Sequence, residues 1–410
     1  MEDATAGPEA VAGRRTAMSL MSIAMVLTMS TWFSASAVIP QLRDVWSLST
    51  SERSLLTIAV QIGFVVGALG SATLNIADIF PARRVLAASA FGAAAANALL
   101  VIAGGAWAAL VLRFLTGLFL AGVYPVILKL VATWYRTGRG AALGLMVGAL
   151  TVGSAAPHLV NSLGGLDWEA VILATSALTA AGALLAVLFV REGPYPFPKA
   201  IFAPRQAGQV MRNRGIRLAS FGYFGHMWEL YAMWAWFLAF YTDALIADGG
   251  DASRAAAAAG TFAVIGIGGA GCWAGGVLGD SWGRTHLTSA SMALSGACSI
   301  GAGLLFGGPA WLVLALGLVW GFAVVADSAQ FSTIVSELAD QAYVGTALTL
   351  QLAAGFTLTV VTIWLIPILR DHLGWEWAFA FLAPGPALGI AAMLYLQRLP
   401  EARLIAGGRG

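Results

Sequence analysis

Long stretches without any charged side chain dominate this 410-residue sequence. A helix that crosses the roughly 30 Å hydrocarbon core of a bilayer needs about 20 apolar residues, because its backbone groups must bond within the helix. Stretches of at least this length recur along the whole chain. Nine of them contain no Asp, Glu, Lys or Arg: 16–42, 54–77, 85–112, 140–166, 170–190, 255–279, 285–326, 341–369 and 377–397.

The stretch 285–326 is long enough for two spans, and a Gly-Gly-Pro sequence at 307–309 interrupts it near the middle. Two further spans, at about 106–130 and about 216–242, each carry a charged residue well inside an otherwise apolar segment, Arg113 in the first and Glu229 in the second. The sequence therefore predicts an all-α integral membrane protein with 12 transmembrane helices.

The composition excludes other classes of protein. Charged residues make up 10% of the chain and hydrophobic residues 59%, whereas soluble domains contain about 25% charged residues. Too few polar groups are present to cover a soluble enzyme or to keep a disordered chain in solution. The net charge of +2 gives no indication of a nucleic-acid partner. Cys272 and Cys298 fall in apolar stretches, which predicts two buried thiols rather than a disulfide or a metal pair.

Basic residues concentrate in alternate connections between the predicted helices. With the N-terminus inside, the inner connections hold most of the 22 Lys and Arg residues and the outer loops hold few. This distribution follows the positive-inside rule. It predicts a multi-pass protein of the cytoplasmic (inner) membrane with both termini in the cytoplasm.

The longest hydrophilic connection runs from Arg191 to Arg217, between the sixth and seventh predicted helices. It divides the chain into an N-terminal six-helix bundle at 1–190, a cytoplasmic linker at 191–215 and a C-terminal six-helix bundle at 216–410. Two six-helix halves around a basic linker are typical of secondary transporters that are built from internal repeats.

Similar loops follow the second and the eighth predicted helices. The later loop runs Gly-Val-Leu-Gly-Asp-Ser-Trp-Gly-Arg from Gly276 to Arg284, with Asp280 at its centre. The earlier loop keeps Asp78 and a basic pair that begins at Arg83. Matching motifs at corresponding places in two halves indicate duplication.

These motifs resemble those of a known family. The later loop is similar to the G-x-x-x-D-R-x-G-R signature of the major facilitator superfamily, with Ser281 in place of the usual Arg. Arg113 and Gly117 in the fourth helix resemble the R-x-x-x-G element of the same family. The resemblance implies two pseudo-symmetric six-helix bundles and transport by alternating access.

The resemblance also implies gating roles for the charged loop residues. Asp280 with Arg284, and Asp78 with Arg83, would hold the cytoplasmic side closed. An Asp at a helix junction can cap exposed amides and pair with a loop Arg, and breaking that latch would open the side it closes. The alternative is that these residues are ordinary loop charges that follow the positive-inside rule.

The seventh predicted helix carries an acidic group at membrane depth. Glu229 lies about 20 Å from the start of the helix, where a charge costs at least ~2.5 kcal/mol unless it faces a cavity or a partner. His226 and Trp236 lie on the same helical face. Because burial favours a neutral carboxyl group, we predict that Glu229 exchanges protons with His226 as its relay, and that Trp236 contacts substrate. The alternative is a structural hydrogen bond to a neighbouring helix.

Other candidate residues lie on the first, fourth and tenth helices. Arg113 is predicted either to bind an anionic group of the substrate or to serve as a structural partner. Asp327, with Gln330 one turn on, is predicted to bind substrate or protons, or to pair with Lys129 in an inner gate. Trp32 is predicted to line the cavity, and ordinary packing is the alternative.

Two features of the fifth helix indicate packing rather than binding. Gly144 and Gly148 predict the close approach of another helix. His158 follows Pro157 near the outer end, and we expect an interfacial histidine whose hydrogen bonds are satisfied.

Together these residues predict a single-chain secondary active transporter. The sequence shows no nucleotide-binding or catalytic motif, so we predict that it is not an enzyme, uses no cofactor or metal and depends on an ion gradient. The predicted substrate is a small organic anion or zwitterionic metabolite, taken up by proton symport. The alternatives are a proton-driven exporter of amphipathic drugs or metabolites, and a non-transporting receptor or assembly factor. The expected partners are the substrate, protons and the lipid bilayer, without nucleic acid, and the expected state is a monomer.

Overall fold

The computed structural model describes residues 8–135, 139–164, 166–195, 204–249, 253–340 and 343–410. Within these ranges the chain is helical and has no strand, which confirms the predicted fold class. Eleven of the helices are long and apolar enough to cross a membrane, and they follow a first helix, α1 (Pro8–Met29). They are α2 (Thr50–Thr73), α3 (Ala82–Ile102), α4 (Ala106–Ala132), α5 (Gly140–Ser162), α6 (Trp168–Phe189), α7 (Arg214–Ala247), α8 (Arg254–Trp282), α9 (Arg284–Leu305), α10 (Ala310–Leu338), α11 (Val344–Leu373) and α12 (Trp375–Gln397).

Successive helices cross in opposite directions, so the start of α1 and the end of α12 lie at the same face. We call this the terminal face and the other the opposite face. The stretch 285–326 divides into α9 and α10, as predicted. Gly307 adopts a positive φ of 81° and Pro309 caps α10 without donating a backbone hydrogen bond, so the chain leaves one helix and starts the next.

The first helix differs from the expected single span at 16–42. α1 ends at Met29, and short helices at Ser34–Ala37 and Ile39–Trp46 continue the path toward the opposite face. The break coincides with polar residues whose side chains bond to the backbone, since Ser30 Oγ donates to the Leu27 carbonyl at 2.6 Å.

Two helices at corresponding places in the halves are also interrupted. α4 breaks between Leu120 and Tyr124, and Pro125 then starts its second part without an N–H to continue the first. α10 breaks between Ala326 and Ser328, with Asp327 at the interruption. The shared break supports the internal repeat that the loop motifs indicated. The boundaries at 190 and 215 stay a prediction.

The two halves meet where α5 packs against α8 and where α2 packs against α11. Glycines allow the first contact, as predicted. A Cβ added at Gly144 would lie 2.7 Å from the Cys272 carbonyl, and one at Gly148 would lie 2.8 Å from the Gly269 carbonyl. Cys272 and Cys298 are free and buried, which confirms the predicted state of the thiols.

Candidate functional site

A cavity of about 950 Å³ lies between the two halves. Its wall is formed by α2, α4 and α5 on one side and by α7, α10 and α11 on the other. Residues at helix ends of the terminal face border it, among them Asn75, Gly140 and Glu337. The cavity therefore reaches the terminal face.

The cavity wall is rich in aromatic and hydroxyl groups. Tyr124, Tyr223 and Tyr231 contribute phenol rings, and Lys129 of α4 is among the lining residues. Further hydroxyl groups come from α10 and α11: Ser328, Ser332, Thr333, Ser336 and Thr349. Such a wall can pack against an apolar part of a ligand and also hydrogen-bond a polar part.

Six buried aromatic residues close the cavity toward the opposite face, and we call them the aromatic floor. They are Trp32, Phe33, Phe64, Tyr231, Trp234 and Phe356. The ring centroids of Phe64 and Phe356 lie 4.6 Å apart, and those of Phe33 and Trp234 lie 6.0 Å apart. Each of these pairs joins the N-terminal half to the C-terminal half. The floor therefore depends on contact between the halves.

Arg284 organises a polar cluster at the terminal face, which we call the latch and define as Asp280, Arg284, Gln330 and Glu337. Its Nη2 lies 2.9 Å from Asp280 Oδ1 and 2.9 Å from Glu337 Oε1. Its Nη1 donates to Gln330 Oε1 at 2.7 Å. Sequence reasoning missed Glu337, although it lies seven residues after Gln330 and so shares a helical face with it.

The latch is formed while the cavity reaches the terminal face. The acceptors of Arg284 among the described residues all belong to the C-terminal half, on α8 and α10. These bonds lie within one half, so they need not break when the halves separate, and the gating role of Asp280 and Arg284 stays a prediction. The N-terminal half approaches the latch at Gly140, where an added Cβ would lie 2.5 Å from Asp280 Oδ1.

Residues 400–410 lie against the latch. The Ala406 N–H donates to Glu337 Oε2 at 3.1 Å, and Arg409 Nη1 donates to the Asp280 carbonyl at 2.5 Å. Ala406 and Gly407 also line the cavity. This segment therefore borders both the latch and the mouth of the cavity.

The corresponding loop of the N-terminal half carries Asp78 and Arg83. The side chain of Asp78 lies outside the described residues, and Arg83 is exposed near the start of α3. Their gating role stays a prediction.

Glu229 lies within the C-terminal half and is not among the residues that line the cavity. Its Oε2 accepts a hydrogen bond from Ser295 Oγ at 2.7 Å, and its Oε1 accepts one from Trp320 Nε1 at 2.7 Å. The side chain is 1% exposed. Because both partners are neutral, no ion pair with them fixes the charge of the carboxyl group.

His226 and Asp327 form a second buried polar pair. His226 Nδ1 lies 2.9 Å from Asp327 Oδ1, and both side chains are buried. Met227 and Ser328, the next residues along the chain, line the cavity. The pair therefore lies directly behind the cavity wall.

Arg113 is enclosed within the N-terminal half and is 0% exposed. Its Nη1 donates to the Thr31 carbonyl at 2.9 Å, to Ser34 Oγ at 3.0 Å and to Asn97 Oδ1 at 3.1 Å. Its Nη2 donates to the Trp32 carbonyl. The guanidinium thus donates hydrogen bonds to carbonyl groups that the break after α1 leaves without a helical partner. These contacts favour the interpretation of Arg113 as a structural residue.

The remaining predicted site residues occupy different places. Trp32 belongs to the aromatic floor, with its ring centroid 6.0 Å from that of Tyr231. Trp236 Nε1 donates to the Ile363 carbonyl at 2.9 Å and ties α7 to α11. Gln330 is part of the latch, and its Nε2 donates to the Gly275 carbonyl at 3.1 Å.

Sequence reasoning missed most of the cavity wall. On α7 the lining residues are Tyr223, Met227, Leu230, Tyr231 and Trp234. They follow each other at helical spacing, so a search for an aromatic face along the seventh helix could have found them. The sequence favours charged residues as candidates instead, because a charge within a span is the stronger signal of function.

A family model described as the Major Facilitator Superfamily matches residues 21–348. Among solved structures, this chain is similar to one described as the MFS proton:xylose symporter XylE bound to 6-bromo-6-deoxy-D-glucose, with a TM-score of 0.69. The two chains are 16% identical, and the match covers 95% of this chain and 96% of that chain. At this identity the likeness establishes the fold alone and confirms the predicted architecture. No curated protein sequence matches this chain.

Proposed function

This chain belongs to the major facilitator superfamily, and from that premise we propose that it moves a small organic anion or zwitterionic metabolite across the cytoplasmic membrane together with protons. The observation that carries the proposal is a cavity between the halves that reaches one face and is closed toward the other by rings from both halves. Rocking of the halves would open the floor and close the terminal face, which is alternating access.

The proposed substrate class follows from the size and chemistry of the cavity. About 950 Å³ suits a metabolite or a drug-sized molecule. The wall includes the basic side chains of Lys129 and Arg284, and Arg284 is paired with the carboxylates of Asp280 and Glu337. A ligand with a negative group and a small apolar part complements this wall.

Proton coupling is proposed through the buried polar groups of the C-terminal half. The His226–Asp327 pair and Glu229 are enclosed by the bundle, where an ionisable group is costly and therefore points to a function. His226 belongs to α7 and Asp327 lies at the break in α10, and both helices line the cavity. A change of protonation there would alter the packing of these two helices and so influence which face is open.

The test uses the full chain in sealed liposomes that contain a pH-sensitive dye. A panel of organic acids and amino acids is added outside, and we expect at least one compound to drive protons inward. Liposomes without protein serve as the control. If no compound of the panel moves protons or accumulates, the proposal of proton-coupled uptake is wrong.

The aromatic floor favours a second candidate function, the export of amphipathic compounds. Trp234, Tyr231 and Phe356 belong to the floor and also line the cavity, and such rings attract flat or cationic molecules. An exporter would release protons into the liposome lumen while it moves a dye such as ethidium outward. Dye efflux without uptake of any organic acid would support this candidate instead.

We propose that the terminal face is cytoplasmic, because the Lys and Arg residues concentrate in the connections of that face. A fluorescent protein fused after residue 410 should then fold and fluoresce, whereas a phosphatase that matures only outside the cytoplasm should stay inactive. The opposite result would reverse the assignment. The monomeric state stays a prediction that light scattering of the purified protein tests.

A further inference from the structure

Four buried side chains, two in the aromatic floor and two near it, carry polar atoms without a hydrogen-bond partner among the described residues. They are Trp32, Gln61, His158 and Trp234. In Gln61 both amide atoms lack a partner, and in His158 both ring nitrogens do. The four residues are at most 2% exposed. Unpaired buried polar groups are rare in native structures and costly, so a cluster of them calls for an explanation.

Gln61 faces the contact between the halves, as its neighbours on α2 establish. The Phe64 ring lies 4.6 Å from that of Phe356 on α11 and 4.9 Å from that of Trp32. Gln61 is three residues before Phe64, so it lies on the same helical face. Because Phe64 belongs to the floor and α2 starts at the opposite face, Gln61 lies beyond the floor on that side.

His158 lies on α5, where that helix meets α8 and also approaches the segment after α1, since Asn161 Nδ2 donates to the Ala37 carbonyl at 2.8 Å. Thr151 Oγ1 lies 3.8 Å from Cys272 Sγ on α8, so this face of α5 meets the C-terminal half. His158 follows Thr151 by two helical turns, about 10 Å farther toward the opposite face. The sequence predicts a histidine with satisfied hydrogen bonds here, whereas neither ring nitrogen has a partner in the part of the chain that the structure describes.

The indole groups of Trp32 and Trp234 complete the set. Both belong to the floor, and each has an Nε1–H without an acceptor among the described residues. Phe33, next to Trp32, contacts the Trp234 ring at 6.0 Å. The unpaired groups thus come from α2, α5, α7 and the break after α1, around the aromatic floor.

We propose that Gln61, His158 and the two indole groups form a ligand-binding surface that is covered here and becomes accessible when the opposite face opens. The surface offers N–H donors from the indoles, the amide and the imidazole, and acceptors from the amide oxygen and the second ring nitrogen. Its complement is a small carboxylate that also carries a hydroxyl or amino group. This proposal rests on the proposed function, because it assumes that the halves rock.

The first part of the test measures access from the opposite face in sealed vesicles, with a membrane-impermeant thiol reagent. Gln61→Cys and His158→Cys should react from the opposite face at least about tenfold faster than Ser299→Cys, a buried serine of α9 that bonds within its own helix. Ser332→Cys in the cavity should react from the terminal face. Labelling of the unmodified protein measures the background reaction of Cys272 and Cys298 with the reagent.

The second part uses glycolate, lactate, malate, glycine, alanine and serine as probes, with acetate as the compound that lacks the extra donor. At least one probe should slow the labelling of Gln61→Cys several-fold, and acetate should not. In Gln61→Leu, about ten times more of that probe should be needed to raise the melting temperature by the same amount, because a buried hydrogen bond to the ligand is lost. Without ligand, Gln61→Leu should melt no lower than the unmodified protein, because it removes an unpaired group.

The outcomes separate this proposal from the proposed function. Absence of labelling from the opposite face overturns the binding surface. Labelling that no probe slows overturns it as well, because the groups then contact water only. Transport of a probe by Gln61→Leu at the unmodified rate and affinity overturns the surface but leaves the transport function intact. Protection by a probe without any transport would support the surface and contradict the transporter.

Discussion

Arg113 and Glu229 are both fully buried, but their partners differ in kind. Arg113 donates to the backbone carbonyls of Thr31 and Trp32 and so supports the path of the chain after α1. Glu229 accepts hydrogen bonds from the neutral side chains of Ser295 and Trp320. The first arrangement requires a permanent cation, whereas the second accommodates a neutral carboxyl group as well as a charged one.

Arg113→Gln should destabilise the protein by roughly 2–4 kcal/mol, because buried carbonyls lose charge-assisted hydrogen bonds. The melting temperature in detergent measures the loss. Arg83→Gln, at an exposed position of α3, should leave it unchanged. If Arg113→Gln instead melts normally and loses only substrate binding, Arg113 contacts substrate, as the other interpretation of the sequence holds.

Glu229→Gln should abolish proton-driven accumulation while exchange of substrate across the membrane continues. An amide can still hydrogen-bond Ser295 and Trp320 but cannot take up and release a proton. Stability should change by about 1 kcal/mol or less. Uptake with and without a pH gradient distinguishes the two activities, and accumulation that survives in the variant would show that the coupling runs elsewhere.

At the scale of helices, the close contact between α5 and α8 depends on glycines, which have no side chain to hold the two backbones apart. Gly144→Val would place a Cβ 2.7 Å from the Cys272 carbonyl, so one of the helices must move. Overpacking of this kind costs roughly 1–3 kcal/mol. Thermal melting is the measurement, and Gly70→Ala is the matched control, since nothing lies within 4 Å of a Cβ added there. Equal melting of both variants would mean that α5 and α8 are not held this closely.

Helix length and order could be predicted because the bilayer sets the length of an apolar segment whatever surrounds it. The break between α9 and α10 was also predictable, since Gly307 and Pro309 act locally. The break after α1 was not, because its stability depends on donors such as Arg113 that arrive from another helix. Likewise the cavity wall is built mainly of aliphatic, aromatic and hydroxyl side chains, which in a single sequence cannot be told from packing residues.

For the whole molecule, the aromatic floor decides whether the membrane stays sealed when the cavity is empty. Phe356→Ala removes the ring that contacts Trp32, Phe64 and Tyr231. We expect protons to leak through liposomes that contain this variant without any substrate. Phe221→Ala, at an exposed position of α7, is the control. A variant as tight as the unmodified protein would mean that the seal lies elsewhere.

The contact of residues 400–410 with the latch has a consequence for how the protein is made. A ribosome delivers this segment after all the helices have emerged, so Glu337 and Asp280 receive the Ala406 and Arg409 donors last. During synthesis Arg284 therefore joins α8 to α10 without the support that later covers it. Docking of residues 400–410 therefore follows assembly of the helices, and it completes the mouth of the cavity at the terminal face.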